Sequence, residues 1–313
     1  MINSRRGFLG SQVNKEIYMS SVSSGFVGEI DLPDADHVAI GPDGKFALVC
    51  RPTAMKVAVI DTSDGRIVKE LGVDRRANQS VFSRDSLFAY VVMGSDSVLE
   101  FSTDDWSLKR RIDLSPRPVS MKMSNNATFA YTTFFGGFQE INLEVPSIER
   151  TYAINTISAS FSMSLDGERA FFTDRESLIV FDLLGFVVKF AIPIDNADFV
   201  AVDSTGSRAY VWSNRVGENR VQVVDIGRLE VIHEIPVLAF VKGVALTSCG
   251  AHAFVLSSRG SVMKVINTDS YAEIGEAFVG GELRSLVVTP DDSRVYVANG
   301  SAVKVFDTSQ WKL

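Results

Sequence analysis

The chain has 313 residues, of which 46% are apolar and 22% charged, with a formal net charge of −7. The apolar share can fill a large core, and an acidic balance without a basic run argues against nucleic acid or an anionic membrane as the main partner. Two cysteines, Cys50 and Cys249, are too few for a disulfide framework and read as free thiols in a reducing compartment.

At the N-terminus, Ser4-Arg5-Arg6-Gly7-Phe8-Leu9 matches a twin-arginine export motif in its arginines alone. An export signal needs an apolar stretch behind them, and Gln12, Asn14, Lys15 and Glu16 stand there instead. The expectation is a chance match and a cytoplasmic protein. Ile17-Tyr18-Met19 is a candidate short strand within an N-terminal extension of residues 1–24. From residue 25 to 313 the chain is expected to form one domain.

That domain repeats. One signature recurs: an apolar pair, a small polar turn, then a small residue followed by an aromatic or aliphatic one. It reads VAIGPDGKFALV from Val38, VFSRDSLFAYVV from Val81, MKMSNNATFAYT from Met121 and FSMSLDGERAFF from Phe161. It returns as VAVDSTGSRAYV from Val200, VALTSCGAHAFV from Val244 and LVVTPDDSRVYV from Leu286. The small anchors Ala47, Ala89, Ala130, Ala170, Ala209, Ala253 and Val295 lie 42, 41, 40, 39, 44 and 42 residues apart. Regular self-similarity at this period marks a repeat architecture.

Each copy continues with a second apolar run ending in a polar residue, at Asp61, Ser102, Asn142, Asp182, Asp225, Asn267 and Asp307. A turn and a fourth strand follow. Four short strands separated by Gly, Asp, Asn and Pro turns predict an antiparallel sheet. Runs such as AYVVM and LIVFDLL are apolar on both faces, which suits sheets stacked face to face. The apolar stretch from Leu178 to Ile194 is too short and too interrupted for a membrane span, and Gly185 is expected to split it into two buried strands. The class predicted is all-β, a seven-bladed propeller of four-stranded blades.

The last copy stops at Trp311-Lys312-Leu313, where alignment with Trp106-Ser107-Leu108 shows its fourth strand only beginning. Gly25-Phe26-Val27-Gly28-Glu29-Ile30-Asp31-Leu32 resembles a fourth strand ending Ile112-Asp113-Leu114. The N-terminal strand is therefore expected to complete the last blade.

The turns Gly41-Pro42-Asp43-Gly44-Lys45 and Thr289-Pro290-Asp291-Asp292, followed by RVYVAN and a VFDT or VIDT strand, resemble the YVTN-type β-propeller repeat family. The resemblance covers most of the chain. It implies the propeller fold, and a family that spans lactone hydrolases, lyases, cofactor-carrying domains, surface-layer proteins and interaction scaffolds.

Blade-to-blade links and the loops between second and third strands should crowd one face around the channel mouth, where loop chemistry varies without disturbing the core. Two positions before each first strand stand Asp36, Asn78, Val119, Ala159, Asp198, Lys242 and Arg284. The resemblance implies small or neutral residues there, so the charges are a departure. The mouth is expected to set this polar arc against an apolar one of Val119, Ala159, Phe134 and Phe135. Mixed charges shielded from water shift one another's pKa values, as acid–base chemistry requires, while the same ring could equally consist of structural ion pairs.

His37 is read either as packing between blades or as a proton-transfer group. His233 and His252 lie elsewhere, which leaves no histidine cluster for a metal. Arg175 and Arg215 are candidates for a carboxylate or phosphate ligand. The sequence thus points to a small-molecule-binding propeller, an enzyme of lyase, isomerase or lactone-hydrolase type with its pocket at the channel mouth. Asp36, His37, Asp198, Lys242 and Arg284 are its catalytic candidates. Asn78, Val119, Phe134, Phe135, Arg175 and Arg215 are its ligand contacts, with no cofactor or metal. The alternative is a non-catalytic scaffold that holds a protein segment on the same face.

Overall fold

An antiparallel sheet whose strands are apolar on both faces needs a cover on each side. Stacking such sheets around an axis supplies it. The computed structural model describes residues 25–125, 128–154, 161–213, 217, 219–237 and 240–311. These form seven four-stranded antiparallel sheets. Six take consecutive strands, and the seventh is ordered Phe26–Asp31, Ala302–Asp307, Arg294–Ala298, Ser285–Val288. Residues 1–24, with the twin-arginine match and Ile17-Tyr18-Met19, lie outside the described residues. Among the described residues no helix is long and apolar enough to cross a membrane.

The small anchors explain how closely the blades approach. Ala47, Ala89, Ala130, Ala170, Ala209, Ala253 and Val295 are all completely buried. Each stands where a neighbouring blade presses on the second strand. Leu48 and Val59 of blade one pack with Ala89 and Val91 of blade two. Phe254 and Val265 of blade six pack with Val295 and Val297 of blade seven. Tyr296 and Val305 of blade seven meet Ala47 and Val49 of blade one, so the ring is continuous.

The closing contact is main-chain pairing. Phe26–Asp31 runs antiparallel to Ala302–Asp307, with Ile30 opposite Val303. The Phe26 and Phe306 rings meet edge to face at 5.8 Å, and Lys304 Nζ lies 3.6 Å from Glu29. A short 3-10 turn, Thr308–Trp311, then buries the Trp311 indole. It fills the space that Gly275 and Gly25 leave open, since a Cβ on either would meet the ring at 3.0 Å or less.

The turns agree with the sequence at Gly44 and Gly167, which have φ of 73° and 72°. This left-handed conformation strains any residue with a Cβ. The stretch from Leu178 to Ile194 corrects an expectation. Gly185 does separate two strands, but only the first, Arg175–Asp182, has a continuous buried run, Leu178–Phe181. Val187–Ala197 is the outermost strand of blade four and largely faces solvent, and Leu184 in the turn is 89% exposed. An outer strand has a neighbour on one edge only, so its apolar residues are not all covered.

Two blades carry a device that the repeat pattern does not announce. Glu100 and Glu140 occupy matching third-strand positions and are almost fully buried. Each is opposite a tyrosine on one side, Tyr90 or Tyr131, and an arginine on the other, Arg110 or Arg150. The arginines bind these carboxylates and also donate to main-chain carbonyls of the next blade, at Leu143 and at Leu183. A buried charge is tolerated only when paired and hydrogen-bonded, and here the pairing also ties blade two to three and three to four. Burial first, then the Glu100 charge, raises the Tyr90 hydroxyl pKa.

Deleting residues 25–32 should abolish the cooperative thermal transition, because the last blade would then expose an unpaired edge along Ala302–Asp307 and uncover Trp311. Retention of a native-like transition in that truncation would disprove closure by this strand.

Candidate functional site

The innermost strands line the central channel. In every blade one residue of that strand sits opposite the residue following the small anchor: Ala39, Val81, Lys122, Ser162, Ala201, Ala245 and Val287. Six are small, aliphatic or hydroxylic. Lys122 alone is charged.

Two adjoining cavities occupy the channel, of about 530 and 450 Å³. His37, Gln79, Lys122, Ser162, Leu165, Val202 and Ser204 line both. The larger reaches from Asn78 and Val119 at the link face to Ser204, Thr247 and Ser248 at the turn face. The smaller adds Pro42, Arg84 and Asp203. Lys122 and His37 thus stand where the two spaces meet, partly open to the lumen and otherwise enclosed.

Among the described residues Lys122 makes no ion pair or hydrogen bond. Burial lowers the pKa of its ammonium, because the charged form loses water without gaining a carboxylate. Burial, reinforced by the Lys122 charge, depresses His37 from 6.5 to about 4. The His37 ring is therefore neutral at neutral pH. Its Nδ1 accepts the Ser80 backbone N–H at 3.4 Å, which leaves the ring proton on Nε2. Gln79 is fixed through its Oε1, which accepts the Met121 N–H at 2.8 Å. Cys50 is opposite His37 across the strand pair, but burial pushes its thiol up to about 12. It is no thiolate nucleophile.

Of the residues expected at the mouth, His37, Asn78 and Val119 share the channel. Asp36 and Arg284 meet at the rim instead, with Arg284 Nε 3.6 Å from the Asp36 carboxylate and the guanidinium 2.9 Å from Glu282. Burial raises the Asp36 pKa against the opposing pull of Arg284. Asp198 accepts from Ser213 Oγ at 2.5 Å, and Lys242 is exposed. These four charges stand outside both cavities.

Phe134 is buried over Gly137, whose missing Cβ makes room for the ring. Phe135 is 68% exposed, and Arg175 is exposed with φ of 75°. None of the three lines either cavity. Ala159 and Arg215 lie outside the described residues. Among the described residues no group of three or more His, Cys, Asp or Glu could hold a metal ion.

Lys122 was missed at the sequence level, although its signal is present: a lysine between two methionines in a segment where every other copy is uncharged. Gln79 and Ser120 were also missed. Only the register shows that they flank His37 and Lys122 in the channel.

Replacing Lys122 by methionine removes, at similar volume, a half-buried cation with no ion-pair partner among the described residues and should raise stability by about 1–2 kcal/mol, read as a higher urea midpoint. A fall in stability would mean that Lys122 is a structural anchor. His37 gives a pH signature with a definite sign. Between pH 6.5 and about 4 the unfolded chain binds a proton that the native ring refuses. Stability is therefore lost as pH falls through this window and is unaffected above it. The loss should be on the order of 1–3 kcal/mol and should shrink in His37→Gln when midpoints at neutral pH and about pH 4.5 are compared. An unchanged pH response in that variant would contradict the buried neutral ring.

No protein-family model matches the chain, and no curated protein sequence matches it. Solved structures do. A chain of Kuenenia stuttgartiensis hydrazine synthase superposes with a TM-score of 0.80 at 17% identity, covering 92% of this chain and 99% of that one. The β-propeller domain of Cps50 (Swd1) from Myceliophteria thermophila superposes with a TM-score of 0.76 at 10% identity, covering 90% and 98%. At these identities the likeness is one of fold: the chain is a seven-bladed β-propeller.

Proposed function

We propose that this propeller binds a small molecule in its central channel, and that it is an enzyme of the lyase, isomerase or lactone-hydrolase type. The observation that carries the reading is Lys122, a cation without a carboxylate partner among the described residues, set beside a neutral histidine in a cavity of about 530 Å³. Natural cores avoid such a group because it costs stability, and perturbed ionisable residues concentrate where chemistry is done. Asn78, Gln79, Ser120 and Ser162 add donors and acceptors along the same wall, as ligand cavities require.

In this reading the rim charges Asp36, Asp198, Lys242 and Arg284 flank the way in and steer a polar ligand. The YVTN-type repeat is the family reading that accompanies it, in a cytoplasmic protein whose single propeller domain spans residues 25–313.

The test is a thermal-shift panel of small lactones, hydroxy acids and oxo compounds on wild type, Lys122→Met and the channel-filling variants Ser162→Phe and Val202→Phe. A compound should stabilise wild type, bind at least about tenfold more weakly, or 1.4 kcal/mol, to Lys122→Met, and fail to bind a folded filled variant. Equal binding to a folded filled variant would move the site out of the channel. No binding by any compound, together with capture of a peptide on the link face, would favour the scaffold.

A further inference from the structure

The chemistry of Lys122 can be taken further, on the basis of the channel site just proposed. Among the described residues, Lys122 and His37 are the only ionisable side chains that line the larger cavity. The other polar side chains described along it, among them Asn78, Gln79, Ser120, Ser162 and Thr247, are neutral. Among the described residues no carboxylate lies within ion-pair distance of Lys122 to hold it as an ammonium ion. Arg84 and Asp203 line only the smaller, adjoining cavity, so the larger one has little to offer a multiply charged ligand. It is suited to a neutral compound that reacts with an amine.

We infer that Lys122 is a nucleophile that captures a small neutral carbonyl compound, an aldehyde or ketone, as an imine inside the channel. The Nζ lone pair adds to the carbonyl carbon to form the C–N bond, and the π pair moves to oxygen, which takes a proton. Nitrogen gives up a proton, and the carbinolamine then expels its hydroxyl with another proton as water, leaving the C=N bond. The sum is amine plus carbonyl going to imine plus water, with no oxidant or reductant.

His37 is placed to assist, since its Nδ1 is occupied by the Ser80 N–H and its Nε2–H remains to donate to the carbonyl oxygen. Burial supports the same direction by favouring the free base of Lys122, and each unit by which an amine pKa falls gives about tenfold more reactive base at neutral pH. Ser120 and Ser162 are hydroxyl groups available to the carbinolamine oxygen.

Trapping with butanal and cyanoborohydride in the full-length protein at neutral pH tests this. One added butyl group is expected, mapped by peptide mass spectrometry to Lys122. Its rate should exceed that of exposed Lys45 by on the order of tenfold or more. Lys122→Arg should lose the adduct while keeping the wild-type melting transition, and His37→Gln should slow trapping with Lys122 unchanged. Labelling spread over exposed lysines, with Lys122 no faster than Lys45, would overturn the inference. The two readings fail apart: panel compounds that still bind wild type but not Ser162→Phe would leave the channel site standing without imine chemistry. Loss of channel-dependent binding together with absence of the adduct would remove both.

Discussion

Everything in this molecule rests on the main-chain pairing of its two ends. A ring of stacked sheets buries both faces of every blade only if it closes, and closure here depends on Phe26–Asp31 pairing with Ala302–Asp307. Without that strand the last blade has three strands, the indole of Trp311 loses its cover beside Gly25, and the packing of Tyr296 against Ala47 and Val49 has no rigid support. Joining Phe26–Asp31 and Ala302–Asp307 in one sheet also ties the whole ring into one cooperative unit, which distinguishes it from an open array of repeats.

Closure is achieved with blades that are not equivalent. Blades two and three carry the Glu100–Arg110 and Glu140–Arg150 pairs that reach across to their neighbours. Beside them lies the densest aromatic packing, with Phe138 4.7 Å from Phe172, 5.4 Å from Phe181 and 5.5 Å from Phe161. Arg150 also covers the face of Phe186 at 4.4 Å. Aromatic edge-to-face contacts add to area burial, so this arc is fixed by directional contacts while the rest of the ring relies mainly on aliphatic packing. Lys122 belongs to blade three, within the fixed arc.

The channel is where local rules are broken. Innermost strands elsewhere present alanine, valine or serine at the position Lys122 occupies, and the aliphatic equivalents would be the stabilising choice there too. An amine with no ion-pair partner among the described residues, set beside a neutral imidazole in the channel, costs stability at that point. The rim differs. Asp36, Arg284 and Glu282 satisfy one another within reach of water, and exposed ion pairs of this kind contribute only about 0–1 kcal/mol.

The sequence by itself determined the repeat, the seven blades, the turn glycines and the closure, because each is written in local chemistry: a recurring apolar–turn–apolar signature, a Gly at a left-handed turn position, and a fourth strand missing from the last copy and present near residue 26. It also placed Asn78, Val119 and His37 beside the channel, since equivalent positions in a repeat occupy equivalent places in a ring. Only the tertiary structure decided which polar groups share a space. Asp36, a candidate from the sequence, turns to Arg284 at the rim, whereas Lys122, which the sequence reading passed over, lines the lumen. Phe134 folds over Gly137 rather than lining the mouth, and Val187–Ala197, apolar in sequence, lies at the solvent edge. Side-chain direction at a strand end and exposure of an outer strand depend on neighbours from other blades. Those neighbours are fixed only when the ring has closed.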